Sequence, residues 1–154
     1  MKRILIALLI VGGGWLIATR NAPVGTPAPS TTLSSAPAGA SESNAETVLA
    51  RAFENQQSNL QIRAQGVVRK LLSDDRQGSR HQRFLLELGS GQTLLIAHNI
   101  DLAPRIESLR EGDTVAFFGE YEWNDKGGVI HWTHRDPQGR HPDGWLEHNG
   151  RRYQ

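Results

Sequence analysis

The chain has 154 residues and a formal net charge of +1, which is enough for one small domain with appended segments. It contains no cysteine, so disulfides, zinc–thiolate sites and a lipid-modified amino-terminal cysteine are excluded. Basic and acidic residues are interspersed, which leaves no broad positive field for sequence-independent nucleic-acid binding, and any nucleic-acid site must be local.

The amino terminus carries an export signal. Two basic residues precede an apolar run over 4–18, as in bacterial signal peptides and signal anchors. Arg20 and Asn21 stand where small residues would precede a cleavage site, which favours an anchor over a cleaved peptide. We therefore expect residues 1–20 to be a signal peptide or signal anchor. The remainder would be periplasmic or otherwise extracytoplasmic, tethered to the cytoplasmic membrane through residues 4–18 or released by cleavage.

A linker and a short helix come next. Residues 21–44 are rich in Pro, Ala, Ser, Thr and Gly, a composition that cannot bury enough surface to offset the entropy of ordering, so a disordered tether is expected. Residues 46–57 place apolar side chains at helical spacing after a possible N-cap at Ser43 or Asn44. This predicts a short helix that covers one end of a domain spanning residues 45–154.

Three strands should follow in a meander. The run 60–72 begins with clean alternation and then shifts phase around Gly66, which indicates a bulged and strongly bent strand. The runs 84–88 and 93–98 also alternate, with a glycine-containing turn at 89–91 between them.

The second half predicts a helix and then a hairpin. Residues 99–109 have Asp101 as an N-cap and apolar residues on one face, so a short helix is expected there. The runs 112–124 and 129–134 are rich in β-branched and aromatic residues and flank an Asn/Gly turn, typical of a hairpin. The element order is that of an OB-fold, a five-stranded Greek-key barrel, so we predict an all-β domain with short helices.

The carboxy terminus predicts a second hairpin. Asn149-Gly150 is a strong two-residue turn signal, and in that register Leu146 faces Tyr153 while Glu147 faces Arg152. An isolated hairpin is marginal in water, so the apolar face, anchored by Trp145, should dock on the barrel.

Several motifs resemble a known family. Gly-Glu-Tyr-Glu-Trp-Asn at 119–124, His-Trp-Thr-His at 131–134, and matching runs between Arg80 and Tyr153 are similar to an uncharacterised family of small exported bacterial proteins, a domain of unknown function. The resemblance implies export and a compact β domain. It implies no activity and no catalytic residues.

The histidines raise the possibility of a metal site. On a regular strand His131 and His134 point to opposite faces, so we expect hydrogen-bonded structural histidines. A bulge, or a strand that ends at Thr133, would instead allow His98, His131 and His134 to hold a divalent metal such as zinc. Glu120 or Glu122 would then serve as a base in a metal-assisted hydrolase acting on a phosphodiester or similar bond. A solvated face is the favoured interpretation of the two glutamates.

A binding module is the favoured function. The sequence has no nucleophile elbow, phosphate loop or dinucleotide fingerprint, which argues against an enzyme and leaves no catalytic residue or cofactor to assign. OB-folds bind oligomers on strands 2 and 3 through aromatic and basic residues, so the ligand would be single-stranded nucleic acid, a glycan or a protein segment. The candidate binding residues are Arg80, His81, Arg83, His98, Tyr121, Trp123, His131, Trp132 and His134.

Overall fold

The computed structural model describes residues 38–154, with side chains from residue 42. One helix, α1 (Ala38–Glu54), precedes seven strands: β1 (Leu60–Leu71), β2 (His81–Glu87), β3 (Thr93–Asn99), β4 (Thr114–Glu122), β5 (Val129–His131), β6 (Trp145–His148) and β7 (Arg151–Tyr153). Within this part of the chain no helix is long and apolar enough to cross a membrane. The predicted signal segment 1–20, and the linker as far as residue 37, lie outside the described residues.

Five of the strands close a barrel. The hydrogen-bonded order is β1-β2-β3-β5-β4, and β4 pairs again with β1. β3 and β5 run parallel and the other pairs are antiparallel. This is the connectivity predicted from the sequence, a small OB-like Greek-key barrel, and it confirms the all-β assignment.

The barrel interior is filled by alternate residues of each strand, since successive side chains point to opposite faces. Leu49 and Ala52 of α1 join this core, so the helix covers the barrel as expected. α1 begins at Ala38 rather than at Glu46. The fully buried large side chains of the core include Leu49, Phe84, Leu86, Leu94, Ile96, Ile106, Phe117, Tyr121, Ile130 and Leu146.

Gly66 allows β1 to pair with two neighbouring strands. Residues 60–67 of β1 pair with β4, and residues 67–71 pair with β2. A Cβ at Gly66 would lie 2.5 Å from the carbonyl oxygen of Glu87, so only glycine permits the close approach of the two backbones. The predicted phase shift at Gly66 is misplaced, because the register irregularity falls between Val68 and Lys70.

The helix predicted at 99–109 does not form; β3 continues through Asn99, and the rest of the segment is turns and irregular backbone. Its backbone groups find partners elsewhere. The amide of Gln82 accepts a hydrogen bond from the N–H of Ile106 at 2.9 Å and donates one to the carbonyl of the same residue at 3.0 Å. Asp101 does not cap a helix but accepts hydrogen bonds from the backbone and side chain of Arg80. Pro104 further disfavours helical geometry at the residue before it.

The central hairpin forms as predicted, with a shorter second strand. Asn124 organises its turn by accepting hydrogen bonds from the backbone N–H groups of Lys126 and Gly128. β5 ends at His131, because Trp132 adopts the left-handed region with φ of 52°. The alternation expected through residue 134 therefore stops three residues early.

The carboxy-terminal hairpin is confirmed in its register. Leu146 pairs with Tyr153 and Glu147 with Arg152, and Asn149 and Gly150 both have positive φ. β6 also pairs with β4, which docks the hairpin on the barrel as expected and buries Trp145, Leu146 and Tyr153.

Replacing Leu146 with alanine should test this docking. Leu146 is fully buried, so Leu146→Ala should lower the free energy of unfolding by about 2–5 kcal/mol. Arg151→Ala, an exposed change in the same hairpin, should leave the stability nearly unchanged. Chemical denaturation of both variants makes the comparison, and an unchanged midpoint for Leu146→Ala would refute a docked hairpin.

Candidate functional site

Two glutamates project from the outer face of the barrel. β4 alternates so that Val115, Phe117 and Tyr121 are buried, which leaves Glu120 and Glu122 on the outside. Glu120 stands between two neighbouring strands, opposite Gln61 of β1 and His131 of β5. Residues placed opposite one another on one face have Cβ atoms about 4.5–5.5 Å apart, so the three side chains form a row across β1, β4 and β5.

Two histidines complete a group that we call the Glu–His cluster: Glu120, Glu122, His131 and His141. Nε2 of His131 lies 3.6 Å from Oε1 of Glu120 and 4.0 Å from Oε1 of Glu122. Nε2 of His141 donates a hydrogen bond to Oε2 of Glu120 at 2.5 Å. Glu120 thus lies between two imidazoles: that of His141 is hydrogen-bonded to Oε2, and that of His131 approaches Oε1 without a hydrogen bond.

A tight loop delivers His141 to the cluster. The carboxylate of Asp136 accepts hydrogen bonds from the backbone N–H groups of Gln138, Arg140 and His141. These bonds, the one from Gln138 foremost, lower the pKa of Asp136. The imidazole of His141 also stacks on the indole of Trp132, with ring centroids 4.2 Å apart and planes 7° from parallel.

Two glycines make room for the sharp turn at Trp132. A Cβ at Gly119 would lie 2.5 Å from the carbonyl oxygen of His131, and one at Gly144 would lie 1.8 Å from that of Trp132. A left-handed conformation is costly for a bulky residue and persists only where surrounding structure enforces it. Here the close packing at Gly119 and Gly144 and the stack of His141 on Trp132 enforce that conformation.

The two imidazoles of the cluster are shifted in opposite directions. Burial lowers the pKa of His131, against the opposing attraction of Glu120 and Glu122. For His141, burial works to lower the pKa, but its hydrogen bonds to Glu120 and to the Pro142 carbonyl prevail and raise it. The lowered pKa of His131 favours its neutral imidazole at neutral pH, while the raised pKa of His141 favours the cation that donates to Glu120.

The structure does not bring together the three histidines predicted as alternative metal ligands. Among the described residues, the one set of three or more acidic or histidine side chains whose ligand atoms all lie within 4.8 Å of one another is Glu120, Glu122 and His131. His98 and His134 are not in this group. Glu120 and Glu122 were expected simply to face solvent. The structure also places them beside His131.

His98 is a structural residue of the core. Its Nδ1 lies 2.9 Å from the hydroxyl of Thr133, and its Nε2 lies 3.2 Å from the carbonyl oxygen of Pro104. The carbonyl can only accept, so Nε2 carries the proton and Nδ1 accepts from the hydroxyl. Burial lowers the pKa of His98 to about 4. His134 is likewise buried, with its Nδ1 2.7 Å from the carbonyl oxygen of Arg135.

A groove runs beside the Glu–His cluster on the outer face of β2, β3, β5 and β4. Its floor is aliphatic, and carboxylates, imidazoles and one guanidinium stand around it. Glu122 and His131 belong to both the groove and the cluster. The lining residues are Asp75, His81, Arg83, Leu95, Ala97, Glu122, Val129 and His131.

Tyr121 and Trp123, two of the predicted binding residues, make their contacts inside the domain. Tyr121 is fully buried and its hydroxyl donates to the carbonyl of Gly127. Trp123 packs against the core, and its indole N–H donates to the carbonyl of Phe53 in α1. The ring of Tyr121 is therefore closed to a ligand, and the indole of Trp123 is held against α1.

The predicted basic residues are split between the groove and its surroundings. His81 and Arg83 line the groove, but Arg83 also donates two hydrogen bonds to the carbonyl of Ser73. Arg80 is paired with Asp101 at 2.7 Å. Both guanidinium groups are therefore engaged within the domain.

His141 and Asp136 are site residues that the sequence did not single out for this role. They stand in a turn-rich stretch with no periodicity to place them on a face. Leu95, Ala97 and Val129 were expected in strands but not as a groove floor. The only signal for His141 was its residue type, which does not say which strand it approaches.

A family model covers most of the chain. It is described as "Protein of unknown function (DUF3465)" and matches residues 31–154. The chain belongs to this family. The predicted resemblance to an uncharacterised family is thereby confirmed, and the match includes the whole barrel of this DUF3465 member. No curated protein matches the chain.

The acid sensitivity of this DUF3465 domain should depend on His98. The folded pKa is about 4 against 6.5 for a free imidazole, so between these values the unfolded chain binds a proton that the folded chain does not. Stability is therefore lost as pH falls from 6.5 towards 4, by about 3 kcal/mol in total.

Urea denaturation at pH 7 and pH 4.5 measures this loss. His98→Gln, which does not titrate, should lose most of that component of the pH dependence, whatever its stability at pH 7. If the free energy of unfolding falls equally between pH 7 and pH 4.5 in the wild type and the variant, a neutral buried His98 is contradicted.

Proposed function

We propose that this protein is a binding module, exported or held at the cytoplasmic membrane by residues 4–18, whose groove holds an oligosaccharide. The observation that carries the proposal is the groove on the outer face of β2 and β3. This is the face on which OB-folds bind oligosaccharides and oligonucleotides. Likeness of fold alone is a weak basis for function, so the choice of ligand depends on the lining residues.

The lining favours a hydroxyl-rich ligand. Leu95, Ala97 and Val129 give an apolar floor, and the carboxylates of Asp75 and Glu122 stand at its edge. A carboxylate accepts hydrogen bonds readily, which suits the hydroxyl groups of a sugar. An apolar floor with a few placed polar groups is the usual composition of a small-ligand site.

The same lining disfavours single-stranded nucleic acid. Carboxylates beside the groove repel phosphates. Arg83, the guanidinium in the lining, and Arg80 at the start of β2 already have partners. Among the described residues that line the groove there is no Phe, Tyr or Trp, whereas single-strand-binding OB-folds stack bases on aromatic rings. A protein segment is a further possible ligand of the groove, and the experiment below separates it from a glycan.

A pair of leucine variants tests the groove. Leu95 lines it, while Leu85, directly opposite on β2 and equally half-buried, does not. The full-length chain in mild detergent should bind members of an oligosaccharide panel in calorimetric titrations. Leu95→Ala should weaken that binding about tenfold, the equivalent of about 1.4 kcal/mol of lost contact, and Leu85→Ala should change it less than twofold.

The alternatives give different results in the same titrations. Binding of oligothymidylate that weakens steeply with salt would overturn the glycan assignment in favour of nucleic acid. Binding of neither polymer would leave only a protein partner. Equal effects of Leu95→Ala and Leu85→Ala would place the ligand outside the groove.

A further inference from the structure

The Glu–His cluster has the donor atoms of a metal site. One imidazole nitrogen and two carboxylate oxygens, from His131, Glu120 and Glu122, lie within 4.8 Å of one another. Nitrogen and oxygen donors together suit zinc and similar divalent transition metals, whereas calcium and magnesium prefer oxygen alone. The set comes from two adjacent strands of one closed barrel, so the backbone holds its members in register.

The distances require only a small contraction. Two ligands at about 2.0–2.2 Å from a tetrahedral zinc ion lie about 3.3–3.6 Å apart. The observed separations from Nε2 of His131 are 3.6 Å to Glu120 and 4.0 Å to Glu122. The longer of the two distances involves Glu122, whose side chain is about one-third exposed (32%) and so has room to rotate.

Buried polar atoms beside Glu120 lack hydrogen-bond partners. Nε2 of His131 is buried and makes no hydrogen bond within the part of the chain that is described, and neither does the side-chain amide of Gln61. Gln61 stands directly opposite Glu120 on β1. Buried polar groups are rarely left unpaired, and here they fall on both sides of the same carboxylate.

The surrounding contacts fix the orientation of Glu120. His141 holds Oε2 of Glu120 and leaves Oε1 directed at His131. The stack on Trp132 and the hydrogen bond from the backbone N–H of His141 to Asp136 fix His141 in turn. Hydrogen-bonded supports of this kind are what orient ligands in metal sites.

We propose that Glu120, Glu122 and His131 bind one divalent transition-metal ion of the zinc type, with His141 positioning Glu120. Three protein ligands leave at least one coordination position open. Glu122 and His131 also line the groove, so the site adjoins it. The site stands on its own geometry and does not depend on what the groove binds.

Zinc titration of the full-length chain, freed of metal with a chelator, tests the proposal. Calorimetry should give one zinc ion per chain. Glu122→Gln and His131→Gln should each weaken zinc binding by at least about tenfold. His141→Phe keeps a ring for the stack on Trp132 but removes the donor to Glu120, and should weaken binding by about tenfold.

Two controls match these changes in residue type. Glu147→Gln alters an outward strand glutamate that pairs with Arg152, and His148→Gln alters a buried histidine outside the cluster, which is hydrogen-bonded to Asp113. Both should bind zinc as the wild type does. Cobalt substitution adds a readout of the site itself, because His131→Gln should lose visible bands that Glu147→Gln retains.

The proposal is overturned if the wild type binds no stoichiometric zinc, or if Glu122→Gln and His131→Gln bind it as tightly as the controls. Tighter binding of calcium or magnesium than of zinc would overturn the choice of ion. Thermal melts of the metal-free variants identify any that do not fold. Glu122→Gln changes a partly exposed position and should have the melting temperature of the wild type. Its zinc affinity therefore decides between a metal site and a loss of folding. Oligosaccharide binding is measured separately and can fail while zinc binding persists.

Discussion

Closure of the barrel depends on β1 pairing with two strands at once. One end of β1 pairs with β4 and the other with β2, and the backbones approach so closely at Gly66 that no side chain fits between them. Because β1 closes against β4, β4 lies between β1 and β5. Glu120 therefore stands between Gln61 and His131. The position of the Glu–His cluster is thus a consequence of how the barrel closes.

The left-handed turn at Trp132 determines what surrounds that cluster. It ends β5 at His131, and Gly119 and Gly144 allow the redirected backbone to pack closely. The chain then enters the Asp136 loop, which returns His141 to Glu120. Thr133 reaches His98 in the core. The left-handed conformation of this one residue therefore places His131, His134 and His141 in three different surroundings.

The groove and the cluster form one continuous surface through Glu122 and His131. An oligosaccharide lying on Leu95, Ala97 and Val129 would extend to the proposed metal ion. The family to which the chain belongs has no described function, so both assignments rest on the chemistry of these side chains. If the proposed ion binds there, its open coordination position would offer a contact for a sugar hydroxyl.

The sequence by itself determined the features that depend on neighbouring residues. Alternation predicted the strands, and the Asn149-Gly150 turn determined the register of the last hairpin, because a two-residue turn leaves one way to pair its flanks. The order of the elements was enough to predict the barrel.

Tertiary structure decided everything that depends on distant partners. The predicted helix at 99–109 does not form, because the side chain of Gln82, remote in sequence, hydrogen-bonds both the N–H and the carbonyl of Ile106. Tyr121 belongs to the core, and Trp123 packs against it with its indole N–H bonded to Phe53 of α1. His141 reaches Glu120 only through the turn at Trp132. Local periodicity says which face a side chain occupies, but not which loop returns to meet it.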